Sequence, residues 1–253
     1  MCAETGGQGL ERARDLLRRS QAAVAFTGAG VSTASGVPDF RSPGGLWSRY
    51  QPVPIQEFVR SEEARRRYWE YKRESYAAFA AARPNPAHYT LSRLEADGRL
   101  LAVITQNIDG LHQEAGSGRV LELHGTNRRV VCLECHRREP AEGVQRRLEE
   151  GCLLPECPHC GGMLKADTVS FGQALPPDVL REAFALATSC DLMLALGSSL
   201  LVQPAASIPL AAADAGVPVV VVNREPTPLD RRAAVVLHGE VEEVLPEMAA
   251  DVA

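Results

Sequence analysis

Several short runs in this chain are almost wholly apolar: residues 21–27 (QAAVAFT), 100–105 (LLAVIT), 191–196 (DLMLAL), 217–222 (VPVVVV) and, more faintly, 233–237. A strand covered on one face alternates apolar and polar residues, whereas strands this uniformly apolar are covered on both, the mark of a parallel sheet between helices. Between the runs, residues 62–82, 86–97, 177–187, 204–215 and 241–250 read as helices, and a basic amphipathic stretch precedes the first run. Strand alternating with helix predicts an α/β fold with a doubly wound parallel sheet.

Two stretches break the rhythm. Residues 128–167 are rich in Cys, Glu, Arg, Gly and Pro and lack long apolar runs, which predicts a small inserted zinc-binding module. Residues 1–127 and 168–253 are left to the sheet domain, with a cofactor-binding loop and helical insert over about 31–85. Residues 31–54 carry turn-forming Gly, Ser and Pro yet keep Phe40 and Trp47, as a functional lid does more often than a linker.

A formal net charge of −5 gives no global basic field, so direct nucleic-acid binding is not expected. The clusters Arg65-Arg66-Arg67 and Arg137-Arg138 read as solvated faces. No apolar run reaches the roughly 18 residues that span a bilayer, and residues 1–14 lack a signal-peptide core, so the expected location is cytoplasmic and away from membranes. Seven cysteines, an odd number, argue for reduced thiols or metal ligands over a disulfide framework.

Cys132-Leu-Glu-Cys135 and Cys157-Pro-His-Cys160 form two C-x2-C knuckles, the second followed by Gly161-Gly162. Each knuckle presents two thiolates, and two knuckles close a tetrahedral zinc shell with no position left for water, which makes the ion structural. Cys152 is a rival for the place of Cys160. The trailing glycines, which permit a tight turn, favour the paired knuckles, and Cys190 and Cys2 read as a buried hydrophobe and an incidental thiol.

Gly28-Ala29-Gly30 follows a buried strand, the right context for a backbone approach to a pyrophosphate. The dinucleotide fingerprint is incomplete, because Thr33 stands at its third glycine. Other strand ends carry Thr105-Gln106-Asn107-Ile108-Asp109, Gly197-Ser198-Ser199 and Asn223, and ligands of open α/β sheets sit beyond such carboxyl ends. His124 closes the segment Val120-Leu121-Glu122-Leu123-His124-Gly125 just before the metal module.

The ordered runs 28–41 (GAGVSTASGVPDFR), 105–109 (TQNID), 123–125 (LHG), the two knuckles, 169–172 (VSFG), 197–199 (GSS) and 222–223 (VN) resemble the sirtuin family over nearly the whole chain. The resemblance implies a Rossmann-like domain with a small zinc domain, and a cleft between them for NAD and acyl-lysine protein substrates. In that family the acyl oxygen attacks the ribose carbon that bears nicotinamide, a histidine accepts a ribose hydroxyl proton, and water completes release of lysine and O-acyl-ADP-ribose. By that resemblance His124 is the general base, Asn107 orients the ribose and Asp109 accepts from the nicotinamide amide. Gly28, Ala29, Gly30 and Ser198 match phosphate positions, Arg41 lies near the reacting ribose, Phe40 shields the nicotinamide pocket, and Asn223 serves the adenosine ribose. Ser32, Asp39, Gln106, Ile108, Gly197, Ser199 and Val241 complete the implied cofactor surroundings, and Val169, Phe171 and Gly172 the implied substrate strand.

Two departures stand out. Gln173 replaces a frequent glutamate after Phe171-Gly172, which main-chain pairing with a peptide survives. Trp69 and Lys72 stand where relatives that prefer acidic acyl groups carry Tyr and Arg, so an uncharged acyl group such as acetyl is expected. A mono-ADP-ribosyltransferase and a non-catalytic NAD-sensing module are the competing readings.

Overall fold

The computed structural model describes residues 6–37 and 51–252. Asp39, Phe40, Arg41 and Trp47 lie outside the described residues, as does Cys2. In chain order the described elements are α1 (Gly6–Arg19), β1 (Ala23–Thr27), α2 (Ile55–Arg60), α3 (Glu62–Ala81), α4 (Pro86–Ala96), β2 (Leu100–Thr105), α5 (Leu111–Glu114) and β3 (Val120–Glu122). There follow β4 (Gly125–Cys132), β5 (Arg138–Pro140), α6 (Ala141–Glu149), β6 (Leu164–Thr168), α7 (Pro177–Ser189), β7 (Leu192–Leu196), α8 (Ser207–Asp214), β8 (Val219–Val222), β9 (Val235–Leu237) and α9 (Val241–Met248).

The apolar runs form a six-stranded sheet in the order β3-β2-β1-β7-β8-β9, parallel throughout. Their two-residue period sorts them between two cores. Ala23, Ala25, Leu192, Leu194, Val220 and Val222 pack with residues of α1, α4 and α9, while Val24, Phe26, Met193, Ala195, Val219 and Val221 pack with α7 and α8. The expected strands at 191–196 and 217–222 begin later, at Leu192 and Val219, and the helix expected from 204 begins at Ser207. Asp191 is drawn out of its strand because its carboxylate accepts from the Gln21 and Ala22 amides.

The cysteine-rich stretch folds as a second sheet, antiparallel, in the order β5-β4-β6, with α6 packed on β4. Neither these short strands nor α6 was visible as periodicity. Their apolar residues Val130, Val144, Leu148, Leu164 and Ala166 make a third core with Phe58, Tyr68 and Trp69 of α2 and α3.

Strand order reverses between β1 and β7, the point where open α/β sheets leave a crevice. There Gly28 N donates to Leu196 O (3.0 Å), Gly30 N to Gly197 O (2.8 Å) and Gly197 N to Val222 O (2.9 Å). A Cβ on Gly28 or Gly30 would stand 2.7 or 2.8 Å from Gly197, and one on Gly197, whose φ is +58°, would stand 2.5 Å from Val31 N. The G-x-G pattern thus serves close backbone packing at the switch point. Gly197→Ala should lower the unfolding free energy in urea by at least about 1 kcal/mol, because alanine resists positive φ and the neighbouring atoms are backbone.

Candidate active site and metal centre

A cleft of about 1030 Å³ opens beyond the carboxyl ends of β1, β2, β7 and β8. Its size lies at the upper end of small-molecule sites. Gly28, Ala29, Gly30, Gln106, Asn107, Ile108, Gly197, Ser198, Ser199, Asn223 and Val241 line it from the sheet, and His124, Val169, Phe171 and Gly172 from the side of the second sheet. Residues scattered through the sequence therefore converge on one space. The glycines leave backbone without side chain along one wall, which suits the approach of a phosphate-bearing ligand.

His124 is placed by two strands. Leu123 N donates to Thr105 O (2.9 Å), continuing the β2–β3 pairing, and Val169 N donates to His124 O (2.9 Å). The ring Nδ1 lies 2.9 Å from Gln106 O. A carbonyl can only accept, so Nδ1 carries the proton and the neutral ring keeps its lone pair at Nε2. That tautomer can take a proton from a group in the cleft.

Asn107 is buried and oriented from both sides: its Nδ2 donates to Gly28 O and to Ser32 Oγ, each at 3.0 Å. Gln106 Nε2 donates to Ser198 Oγ (2.8 Å), joining the ends of β2 and β7. Among the described residues, two of the expected cofactor residues are not in the cleft lining. Ser32 is buried behind Asn107 and holds it. Asp109 is buried too, accepts from Leu111 N (2.9 Å) and borders a separate cavity of about 260 Å³. Burial raises its pKa, opposed by the Leu111 and Ser32 hydrogen bonds and the charge of Arg128.

Behind this wall lies a polar network that the sequence reading missed. Thr27 Oγ1 donates to Thr105 Oγ1 (2.8 Å) and sits 3.0 Å from His112 Nε2; Thr105 Oγ1 accepts the Asn107 amide (3.0 Å). The His88 ring meets that of His112 at 4.8 Å between centroids, tilted by 53°, with its Nε2 3.4 Å from Ser32 Oγ. The signal for His88 was present: Asn85-Pro86-Ala87-His88 is a capping box for α4, with Asn85 N donating to His88 Nδ1 at 3.3 Å. Burial pulls the pKa of His88 down to about 4, and burial together with His88 pulls that of His112 down to about 3.

In the second sheet the four Sγ atoms of Cys132, Cys135, Cys157 and Cys160 all lie within 4.8 Å of one another. Cys132 meets Cys160 at 3.5 Å and Cys135 meets Cys157 at 3.7 Å, so the pairs cross between knuckles. Four sulfurs bound to one zinc at about 2.3 Å are separated by roughly 3.8 Å, so the residues fit a structural zinc ion. Cys152 is not in the cluster, which removes it as a ligand among the described residues. Gly161, at φ +73°, supplies the expected turn, its amide donating to Cys157 O (2.8 Å). Cys190 is buried in the sheet core, as expected of a small hydrophobe.

Lys72 of α3 lines the cleft with Tyr68 and Tyr71, whereas Trp69 faces the smaller cavity, which Lys72 also borders. The Lys72 ammonium donates to Asn127 Oδ1 (2.7 Å) and lies 5.5 and 5.6 Å from the centroids of the Tyr68 and Tyr71 rings. Burial, with the nearby Lys165, pulls its pKa down to about 7.

Comparison with known proteins decides the family: the Sir2 family model matches residues 28–204. The chain belongs to the Sir2 family. The NAD-dependent protein deacetylase of Rhodopseudomonas palustris is 43% identical to this Sir2 chain over 247 residues, 97% of this chain and 98% of the relative. That of Haloarcula marismortui is 46% identical over 243 residues, 95% and 93% of the two chains. A solved structure of Sir2 with a p53 peptide and NAD+ is similar at TM-score 0.87 and 38% identity, covering 96% of this chain and 98% of that one. Among the described residues, no helix of this Sir2 chain is long and apolar enough to cross a membrane.

Two measurements check these assignments. Cys132→Ala should abolish the one bound zinc counted by atomic spectroscopy and lower the melting temperature, whereas Cys152→Ala should keep it; zinc loss in Cys152→Ala would reverse the ligand set. The buried histidines also set an acid response. Their folded pKa values lie below the unfolded value of roughly 6.5, so stability is fully present above that pH and falls as pH drops toward about 4, by up to about 1.4 kcal/mol per pH unit for each. Urea midpoints between pH 7.5 and 5 should show that slope, and His112→Asn should flatten it.

Proposed function

We propose that this chain is an NAD-dependent protein lysine deacetylase, with acetyl-lysine protein substrates, NAD as cosubstrate and one structural zinc ion. The observation that carries the reading is His124: an imidazole whose Nδ1 is fixed to the Gln106 carbonyl, which leaves Nε2 as the proton-accepting atom, at the junction of the nucleotide wall and the 169–172 segment. When bound, NAD would supply the electrophile, a ribose carbon whose bond to nicotinamide is replaced by one to the acyl oxygen; with water, the products are free lysine and an acyl ester on a ribose hydroxyl oxygen, O-acetyl-ADP-ribose.

This chain's residues do the rest. His124 Nε2 takes a proton from a hydroxyl in the cleft, acting as general base. Asn107, held through its amide nitrogen, offers its carbonyl oxygen side to the cleft ligand and fixes the orientation of a ribose. Gly28, Ala29, Gly30, Gly197, Ser198 and Ser199 receive the phosphates, Gln106 and Ile108 the adjoining ribose and nicotinamide, and Asn223 and Val241 the adenosine end. Asp39, Phe40 and Arg41 join the same assignment by their match to the family pattern. Asp109 and Ser32 act from behind the wall, Ser32 by holding Asn107. Val169, Phe171 and Gly172 present the edge on which an extended peptide adds as a strand.

Residues 128–167 form the zinc-held module in this reading, and residues 1–127 with 168–253 the Rossmann-like domain. Four zinc-binding thiols need a reducing compartment, which supports a cytoplasmic location. The net charge of −5 gives no support to nucleic-acid binding. For the acyl group, Lys72 lacks the planar fork that grips a carboxylate at two points, and its lowered pKa leaves it a weak cation at neutral pH. Uncharged acyl groups are therefore the preferred substrates.

An acyl-lysine peptide panel with NAD tests the reading. Acetyl-lysine peptide should release nicotinamide and yield O-acetyl-ADP-ribose by mass spectrometry, and His124→Ala should lower kcat by about 10²–10⁴-fold. Labelled protein with free nicotinamide would instead identify an ADP-ribosyltransferase, NAD binding without turnover a sensor, and a preference for succinyl over acetyl would sink the acyl assignment.

A further inference from the structure

Lys165 places a charge where packing alone asks for none. It is the second residue of β6, 1% exposed, with apolar neighbours Leu164 and Ala166 in the third core. Its ammonium donates to the carbonyl oxygens of Ala166 (3.2 Å) and Thr168. Burial pulls its pKa down to about 8, with Asp167 pulling the other way. Removing an ammonium from water is costly, and an apolar side chain of the same length would fill this space without that cost. What methionine could not do is aim a carbonyl group.

The carbonyl in question stands at a junction. Thr168 ends β6 opposite Gly125, the residue after His124, and the next amide, Val169 N, donates to His124 O at 2.9 Å. Downstream, Phe171 O accepts from Ile55 N (3.0 Å) and Gly172 O from Gln56 Nε2 (3.1 Å). The segment 169–172 is thus tied to α2 at its far end and to His124 at its near end. Its near end is further restrained at Thr168, whose side chain hydrogen-bonds Tyr68 and whose carbonyl oxygen accepts from Lys165.

We propose that Lys165 is a positioning residue for the deacylation reaction: its buried ammonium clamps Thr168 O and so fixes the register of the 169–172 edge relative to His124. The proposal rests on the reading of that edge as the peptide-binding strand. Among the described residues Lys165 is not in the cleft lining, and the lining side chain its charge reaches is Lys72, on the acyl side, so its effect falls on the peptide and not on NAD.

The test is steady-state kinetics of the full-length, zinc-loaded protein, varying acetyl-lysine peptide and NAD in turn, with urea midpoints alongside. Lys165→Met should raise KM for the peptide by about tenfold, leave KM for NAD within about twofold and leave the midpoint unchanged or higher, since the buried charge is gone. Lys165→Arg, which still donates, should recover most of the peptide KM. Equal rises in both KM values with a lower midpoint would show a merely structural role and overturn the proposal, as would an unchanged peptide KM. If Lys165→Met does not accumulate folded, Lys165→Gln carries the same comparison: a rise confined to the peptide KM supports the clamp, and no such rise overturns it. Absence of turnover by the unsubstituted protein would refute the deacetylase reading itself, before any variant is compared.

Discussion

The structure depends on how closely the loop after β1 can approach the loop after β7. Parallel strands 23–27 and 192–196 sit side by side where the sheet reverses its order, and their continuing chains must part to open a crevice. Glycine at 28, 30 and 197 lets the backbones touch before they diverge. Side chains there would push β1 and β7 apart, and with them the two cores they separate. The cleft, the orientation of Asn107 by Gly28 O and the Gln106–Ser198 link all follow from that contact.

Polar groups on such a crevice gain precision from rigid neighbours. Asn107 and His124 lie just past the ends of β2 and β3, and each has one side-chain nitrogen tied to the backbone carbonyl of a neighbouring strand end. Behind them Thr27, Thr105, His88 and His112 replace what would otherwise be apolar packing. Burial keeps both histidines of this network neutral, and His112 Nδ1 is buried within it without a hydrogen-bond partner.

The doubly wound sheet was legible because two-sided burial leaves uniformly apolar strands, and residues such as Ala23–Thr27 or Val219–Val222 carry that signature without help from context. The metal ligands were legible from spacing, and the structure resolved the one ambiguity, Cys152, through three-dimensional proximity that spacing does not encode. The second sheet was not legible: β4 is part-exposed and β5 has only three residues, so neither shows a period. Asp109 and Ser32 share motifs with cleft-lining neighbours, yet both are buried, and motif membership does not encode the hydrogen bonds to Leu111 N and Asn107 Nδ2 that hold them. Lys165 carried no signal because an isolated lysine in sequence looks like any solvated one.

Strand β4 begins at Gly125, directly after His124, and ends at Cys132, so with β6 it forms a two-stranded stem with His124 at its root and the knuckles at its tip. Length changes in the chain beyond that stem add loop at the tip, where closure entropy grows only slowly with length. The root is bound to the sheet by Leu123 and Val169 and does not share that freedom. A stem of this kind lets the outer end of the module diversify by insertion while the reacting end keeps its dimensions, an architectural separation of what can vary from what cannot.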